Sequence, residues 1–226
     1  MIISNKEINI YIKDSNNTEK LPVVILNNFD KQLKEIIEEC DKLKVKDFIA
    51  VEITRINWNK EMSPWPIEKI FKNEEDYTGE ADKYLEELEN EIIPKIENIL
   101  EKNNKKVKYY IISGYSLAGL FALYTGYNTK KFKKIITASG SMWYPNFEEY
   151  IRKNKINPNI DSIYFSLGNS EKLSKNPILK TVEEKTKSIE KYLSTFTKTK
   201  YEENEGNHFK NTAERIAKGI KWSLEN

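Results

Sequence analysis

The sequence predicts an α/β protein: a mostly parallel central sheet with helices on both faces. Two observations carry this expectation. Short runs rich in β-branched and aromatic residues alternate along the chain with longer runs whose apolar residues recur at helical spacing. Such alternation calls for parallel strands joined by covering helices. No internal repeat and no Gly/Ser-rich linker interrupts the 226 residues, so one domain spanning residues 1–226 is expected.

The elements follow in order. EINIYIKD (7–14) alternates as a strand should, and LPVVILNNFD (21–30) reads as a more deeply buried one. Residues 30–45 form an amphipathic helical pattern, and KDFIAVEI (46–53) is the next strand. Residues 55–80 hold two of the four tryptophans, two prolines and no clean period, the signature of a long, structured and often functional loop. A helix is expected from Ala81 to about Lys102, with Leu85, Leu88, Ile92, Ile96 and Leu100 on one side and a kink at Pro94. Val107 to Ile112 reads as a buried strand, and helical spacing resumes at Leu117, Leu120, Phe121 and Tyr124. Then come KIITASG (134–140) as a strand, SMWYP (141–145) as a loop and DSIYFSLG (161–168) as a strand. A helix over 177–197, a short polar strand KTKYEEN (198–204) and a closing helix from about Asn211 to Glu225 complete the chain.

Composition narrows the function. Lys and Arg total 37 against 35 Asp and Glu, a net charge of +2, which gives no electrostatic case for nucleic acid. Runs such as KKFKK (130–134) read as solvated helix ends and loops. The single cysteine, Cys40, rules out a disulfide within the chain and reads as a buried thiol. No Cys/His cluster has metal-ligand spacing, and no apolar run approaches a membrane span. The expectation is a soluble, cytoplasmic protein with no metal or organic cofactor and no membrane or nucleic-acid partner; its oligomeric state is not legible.

One stretch stands out. In ISGYSLAGLFALY (112–124) a strand becomes a helix within four residues, with Ser116 at the apex and Gly114, Ala118 and Gly119 around it. Ligands of parallel α/β sheets bind outside the carboxyl ends of the strands, so a serine there projects towards a substrate. This is the logic of the G-x-S-x-G nucleophile elbow, written here as Gly114-Tyr115-Ser116-Leu117-Ala118. The following helix offers the Leu117 amide and its positive dipole end to a developing oxyanion. Ser116 as an ordinary helix N-cap is the structural alternative.

A serine hydroxyl needs a base, and the chain has one histidine, His208, in EGNHFKNTAERIAKG. It falls between the last strand and the last helix, matching the chain order nucleophile, acid, histidine. The acid should follow the preceding strand. Glu171, in the loop after Gly168, is the first carboxylate there; Asp161 lies at the wrong edge, and Glu183 and Glu184 sit on a helix face. A Ser–His dyad without a working acid is the alternative.

With these residues in place the chain resembles the esterase D and enterobactin-esterase branch of the α/β hydrolases. The resemblance rests on NWNKEMSPWP (57–66), TGEADKYLEELENEIIP (78–94), SGYSLAGLFALY (113–124), ASGSMWYP (138–145), YFSLGNSEKLSKNP (164–177) and EGNHFKN (205–211). It implies an α/β-hydrolase fold without a large cap domain, and a serine esterase acting on small-molecule esters through Ser116, His208 and Glu171. It also implies a second oxyanion amide in the loop after the early central strand, at Asn28 or Phe29. Relatives usually carry a glycine in that loop, and the segment Asn27-Asn28-Phe29 lacks one. A catalytically silent ligand- or partner-binding member of the fold, or an acyltransferase, are the rival readings.

Trp58, Trp65, Trp143 and Tyr144 fall on loops at the carboxyl edge of the sheet, where they either wall a substrate pocket or seal the rim of the core. Arg55 either meets an anionic group of a substrate or pairs with a nearby carboxylate. The absence of any helical-lid pattern points to an open pocket for a polar or bulky ester.

Overall fold

The computed structural model describes residues 1–14, 19–71 and 75–226. Its first strands are β1 (Ile2–Ile3), β2 (Lys6–Lys13) and β3 (Lys20–Asn27), followed by helix α1 (Leu33–Lys42) and β4 (Phe48–Thr54). Residues 55–80 contain a one-turn helix α2 (Trp58–Glu61) and a two-stranded ribbon of β5 (Pro66–Ile67) and β6 (Tyr77–Thr78), structure that the irregular pattern there did not reveal. Helices α3 (Ala81–Glu87) and α4 (Ile93–Lys102) are joined by a π-helical segment, Leu88–Ile92. Pro94 lacks an N–H and crowds the carbonyl four residues back, and the chain meets this with a widened turn just ahead of it.

The second half alternates more regularly: β7 (Lys106–Tyr115), α5 (Leu117–Asn128), β8 (Phe132–Ala138), α6 (Phe147–Lys153), β9 (Ser162–Gly168), α7 (Val182–Leu193), β10 (Lys198–Asn204) and α8 (Thr212–Glu225). Two 3-10 turns, Glu171–Leu173 and Leu179–Thr181, precede α7. The large sheet has eight strands in the order β1-β2-β4-β3-β7-β8-β9-β10. The β1/β2 and β2/β4 pairs are antiparallel and all others parallel.

Both faces of the inner strands are buried, as continuous apolar runs require. In β3, Val23 and Ile25 join a core under α3, α4, α5 and α7, while Val24 and Leu26 join a second core under α1 and α8. Cys40 belongs to that second core, and burial pushes its thiol up to about 12, which keeps it protonated. No helix among the described residues is long and apolar enough to cross a membrane.

Strand order reverses between β3 and β7, the neighbours from which the chain winds outward in opposite directions. A crevice outside the strand ends at such a reversal is the usual ligand position in open α/β sheets. The loop after β3 is held by a buried carboxylate. Glu52 Oε1 accepts hydrogen bonds from Asn28 Nδ2 (2.9 Å) and from the Gln32 and Leu33 amides (2.7 and 2.8 Å), capping α1 from another strand. Glu52→Ala orphans these donors, so urea unfolding of the variant should show a stability loss of about 3 kcal/mol.

Candidate active site

Ser116 bridges β7 and α5 with φ 58° and ψ −123°, a conformation that an L residue keeps only when its surroundings impose it. Those surroundings are hydrogen-bonded. The Ser116 amide donates to Ala138 O (3.2 Å), and the Ser116 carbonyl accepts from Gly119 (3.0 Å), Leu120 (3.1 Å) and Ser141 (3.0 Å). At Gly114 a Cβ would lie 2.2 Å from the Ala118 backbone, so the sharp return of the chain requires glycine there. The Leu117 amide opens α5, where helix geometry provides no partner, and it has no acceptor among the described residues.

His208 lies in the β10–α8 loop, with Nδ1 2.8 Å from Glu171 Oε2. Glu171 is buried, and its other oxygen, Oε1, accepts from Ser139 Oγ (2.7 Å), the Gly168 amide (2.7 Å) and Arg215 Nη1 (3.1 Å). Burial alone would push the Glu171 carboxyl up; the His208 hydrogen bond and charge, with the Gly168 and Ser139 donors, outweigh it and hold the group below the usual carboxylate range. A depressed folded-state value stabilises the fold above the ordinary carboxylate range, and that contribution fades as pH falls through the folded value. The stability of Glu171→Gln, followed by denaturant unfolding across acid pH, should therefore vary less with pH than that of the wild type.

Arg215, fully buried on α8, ties this arrangement together. Its Nη1 donates to Tyr115 Oη (2.9 Å), Ser139 Oγ (2.8 Å) and Glu171 Oε1, and its Nη2 to the carbonyls of Glu205 (3.3 Å) and Asn207 (3.0 Å). Tyr115 in turn donates its hydroxyl to the His208 carbonyl at 2.7 Å, and burial pushes its phenol up to about 12, so it remains a donor. The histidine loop is thus fastened from the elbow and from the last helix.

Ser116, Leu117, Glu171 and His208 line one cavity of about 610 Å³, together with Trp58 and Trp143. Ser116 and His208 are not in hydrogen-bond contact; the polar neighbour of Ser116 Oγ is Ser141 Oγ, at 3.5 Å. Catalytic hydrogen bonds are often long without substrate.

Other predicted positions lie elsewhere. Arg55 does not line the cavity and pairs with Glu7 at 3.5 Å. Trp65 and Tyr144 seal the core rim instead: Trp65 Nε1 donates to Pro145 O (3.1 Å), and the Tyr144 hydroxyl donates to Trp65 O (2.6 Å). The Asn28 amide is committed to Ile53 O at 3.0 Å, so it is not available to an oxyanion. The Phe29 amide has no acceptor among the described residues, and the Phe29 ring stands edge-on to Trp58, with centroids 5.3 Å apart. Sequence reasoning missed Arg215, Tyr115 and Ser139. The signal for Arg215 was a charge beside the apolar stripe of the last helix; for Tyr115 and Ser139 there was none beyond their place at strand ends.

A family model described as "Putative esterase" matches residues 3–212. The chain belongs to this family, a carboxylic ester hydrolase of the α/β-hydrolase type. It is similar to YbbA of Bacillus subtilis (strain 168), with 26% identity over 196 residues, covering 84% of this chain and 78% of that protein. An IroE-like serine hydrolase from Shewanella oneidensis superposes with a TM-score of 0.81 at 17% identity, over 97% of this chain and 76% of its own. The siderophore hydrolase EstA from Aspergillus nidulans does so with 0.74 at 14%, over 97% and 90%. The enterobactin esterase FES from Shigella flexneri gives 0.68 at 15%, over 100% of this chain and 59% of its own.

Proposed function

We propose that the chain hydrolyses carboxylic esters through an acyl-enzyme on Ser116, with His208 as general base and acid and Glu171 as its orienting carboxylate. The observation that carries this reading is the convergence, in one cavity, of a serine on a strained strand–helix turn and a histidine bonded to a buried carboxylate. Ser116 Oγ attacks the ester carbonyl as His208 Nε2 takes its proton, while Nδ1–H donates to Glu171 Oε2 and the carboxylate stabilises the imidazolium. The Leu117 amide, with the α5 dipole behind it, and the Phe29 amide hold the tetrahedral oxyanion. The alcohol leaves with the proton from His208, and water, activated by the same histidine, releases the acid.

Arg215 serves as a positioning residue: it neutralises the buried carboxylate and anchors the carbonyls of the loop that presents His208. Rapid mixing with p-nitrophenyl butyrate tests the scheme. A burst of p-nitrophenolate stoichiometric with enzyme, or steady turnover that vanishes in Ser116→Ala, agrees with it. Turnover equal in wild type and Ser116→Ala contradicts it.

A further inference from the structure

The mouth of the cavity has a chemistry of its own. Phe209, Leu173 and Phe71 line it while remaining 84%, 73% and 44% exposed. They come from three separate segments: the histidine loop, the 3-10 turn that carries Glu171, and the loop between β5 and β6. Exposed apolar side chains scattered singly are ordinary, but several gathered around one opening mark a binding surface. Phe29, also exposed, extends the same edge through its contact with Trp58. Deeper in, Leu117, Trp143, Leu179 and Val182 continue the apolar wall.

Charge is distributed in the opposite sense. Among the described residues no Lys or Arg side chain lines the cavity, and its carboxylate and imidazole, Glu171 and His208, are bonded to each other. Among the described residues, Lys172 and Lys210, the chain neighbours of Leu173 and Phe209, pair with Glu183 (2.8 Å) and Glu205 (3.0 Å). An anionic ester would lose water there and meet no cation among the described lining residues, whereas an apolar arm would cover side chains that water now touches.

Resting on the esterase reading above, we infer that the preferred substrates are uncharged esters bearing an extended apolar arm, which the collar of Phe209, Leu173 and Phe71 covers. The phenyl ring of Phe209 stands edge-on to the His208 imidazole, with centroids 5.2 Å apart, so this arm lies beside the reacting bond rather than at a remote subsite. Of the two ester types that the sequence allows, polar or bulky, the inference favours bulk.

The test is a series of p-nitrophenyl esters from acetate to hexanoate, together with mono-p-nitrophenyl adipate, which has the length of the hexanoate ester but ends in a carboxylate. A partly covered methylene is worth about a twofold gain, so kcat/KM should rise about tenfold or more from acetate to hexanoate. The adipate monoester should fall about tenfold or more below hexanoate. Phe209→Ala and Leu173→Ala, each changing an exposed side chain and so keeping the fold, should flatten the rise. A flat series, or an adipate monoester as good as hexanoate, overturns the inference and leaves the esterase reading standing. Labelling of Ser116 by a fluorophosphonate without turnover of any member overturns the inference alone; no turnover and no labelling overturns both.

Discussion

Ser116→Ala and His208→Ala should each lower the turnover of a reactive ester by about 10⁴–10⁶-fold, and the double variant should be scarcely worse than either single one. The reason is that nucleophile and base act as one unit: an alcohol oxygen without its base stays protonated, and a base without its nucleophile has nothing to activate. The residual rate comes from the oxyanion donors and from binding, neither of which these substitutions touch. Ser116→Ala should cost little stability, whereas His208→Ala should cost more, because it leaves the buried Glu171 Oε2 without its partner. Ser116 is held through its backbone, and His208 sits in a loop that Arg215 and Tyr115 grip by backbone carbonyls. Steady-state kinetics with p-nitrophenyl butyrate, alongside urea unfolding, separates the two effects. A loss of only a few-fold in turnover would mean that another group supplies the base, and the chain holds no second histidine to do so.

The second large effect falls on a residue outside the cavity. Arg215→Met should destabilise the fold by about 3–5 kcal/mol, because it leaves Glu171 buried without its permanent counter-charge and two loop carbonyls without a donor. Arg215→Lys keeps the charge but not the planar fork that reaches five oxygens, so it should recover stability only in part. In whatever fraction folds, kcat should drop by about 10²-fold with KM little changed, since the histidine would be misplaced while the cavity wall remains. Added guanidinium should restore part of the kcat of Arg215→Ala by refilling the buried site. A variant with full kcat per folded molecule would reduce Arg215 to a structural role alone.

The strands were legible because burial on both faces imposes long apolar runs, and the helices because one-sided burial imposes a 3.6-residue period. Ser116 was legible for a local reason: a turn that tight needs small neighbours, and Gly114 and Ala118 are close in sequence as well as in space. Glu171 and His208 followed from topology, since both leave the same sheet edge from adjacent parallel strands. What escaped depends on long-range packing. Arg215 meets Tyr115, a hundred residues away, and no periodicity encodes that meeting. Trp65 and Tyr144 have the composition of pocket residues, yet each bonds the other's loop and closes the core. Asn28 stood at the expected place for an oxyanion donor, but β4 reaches one residue further and takes its amide.

Peptide mapping after treatment with a fluorophosphonate tests the central claim most directly, because that reagent phosphonylates a serine only when a base activates it within an oxyanion site. One adduct, on Ser116 in the wild type and missing in His208→Ala, is the predicted result. A folded protein that takes up no label, or takes it up equally without His208, would contradict the acyl-enzyme mechanism.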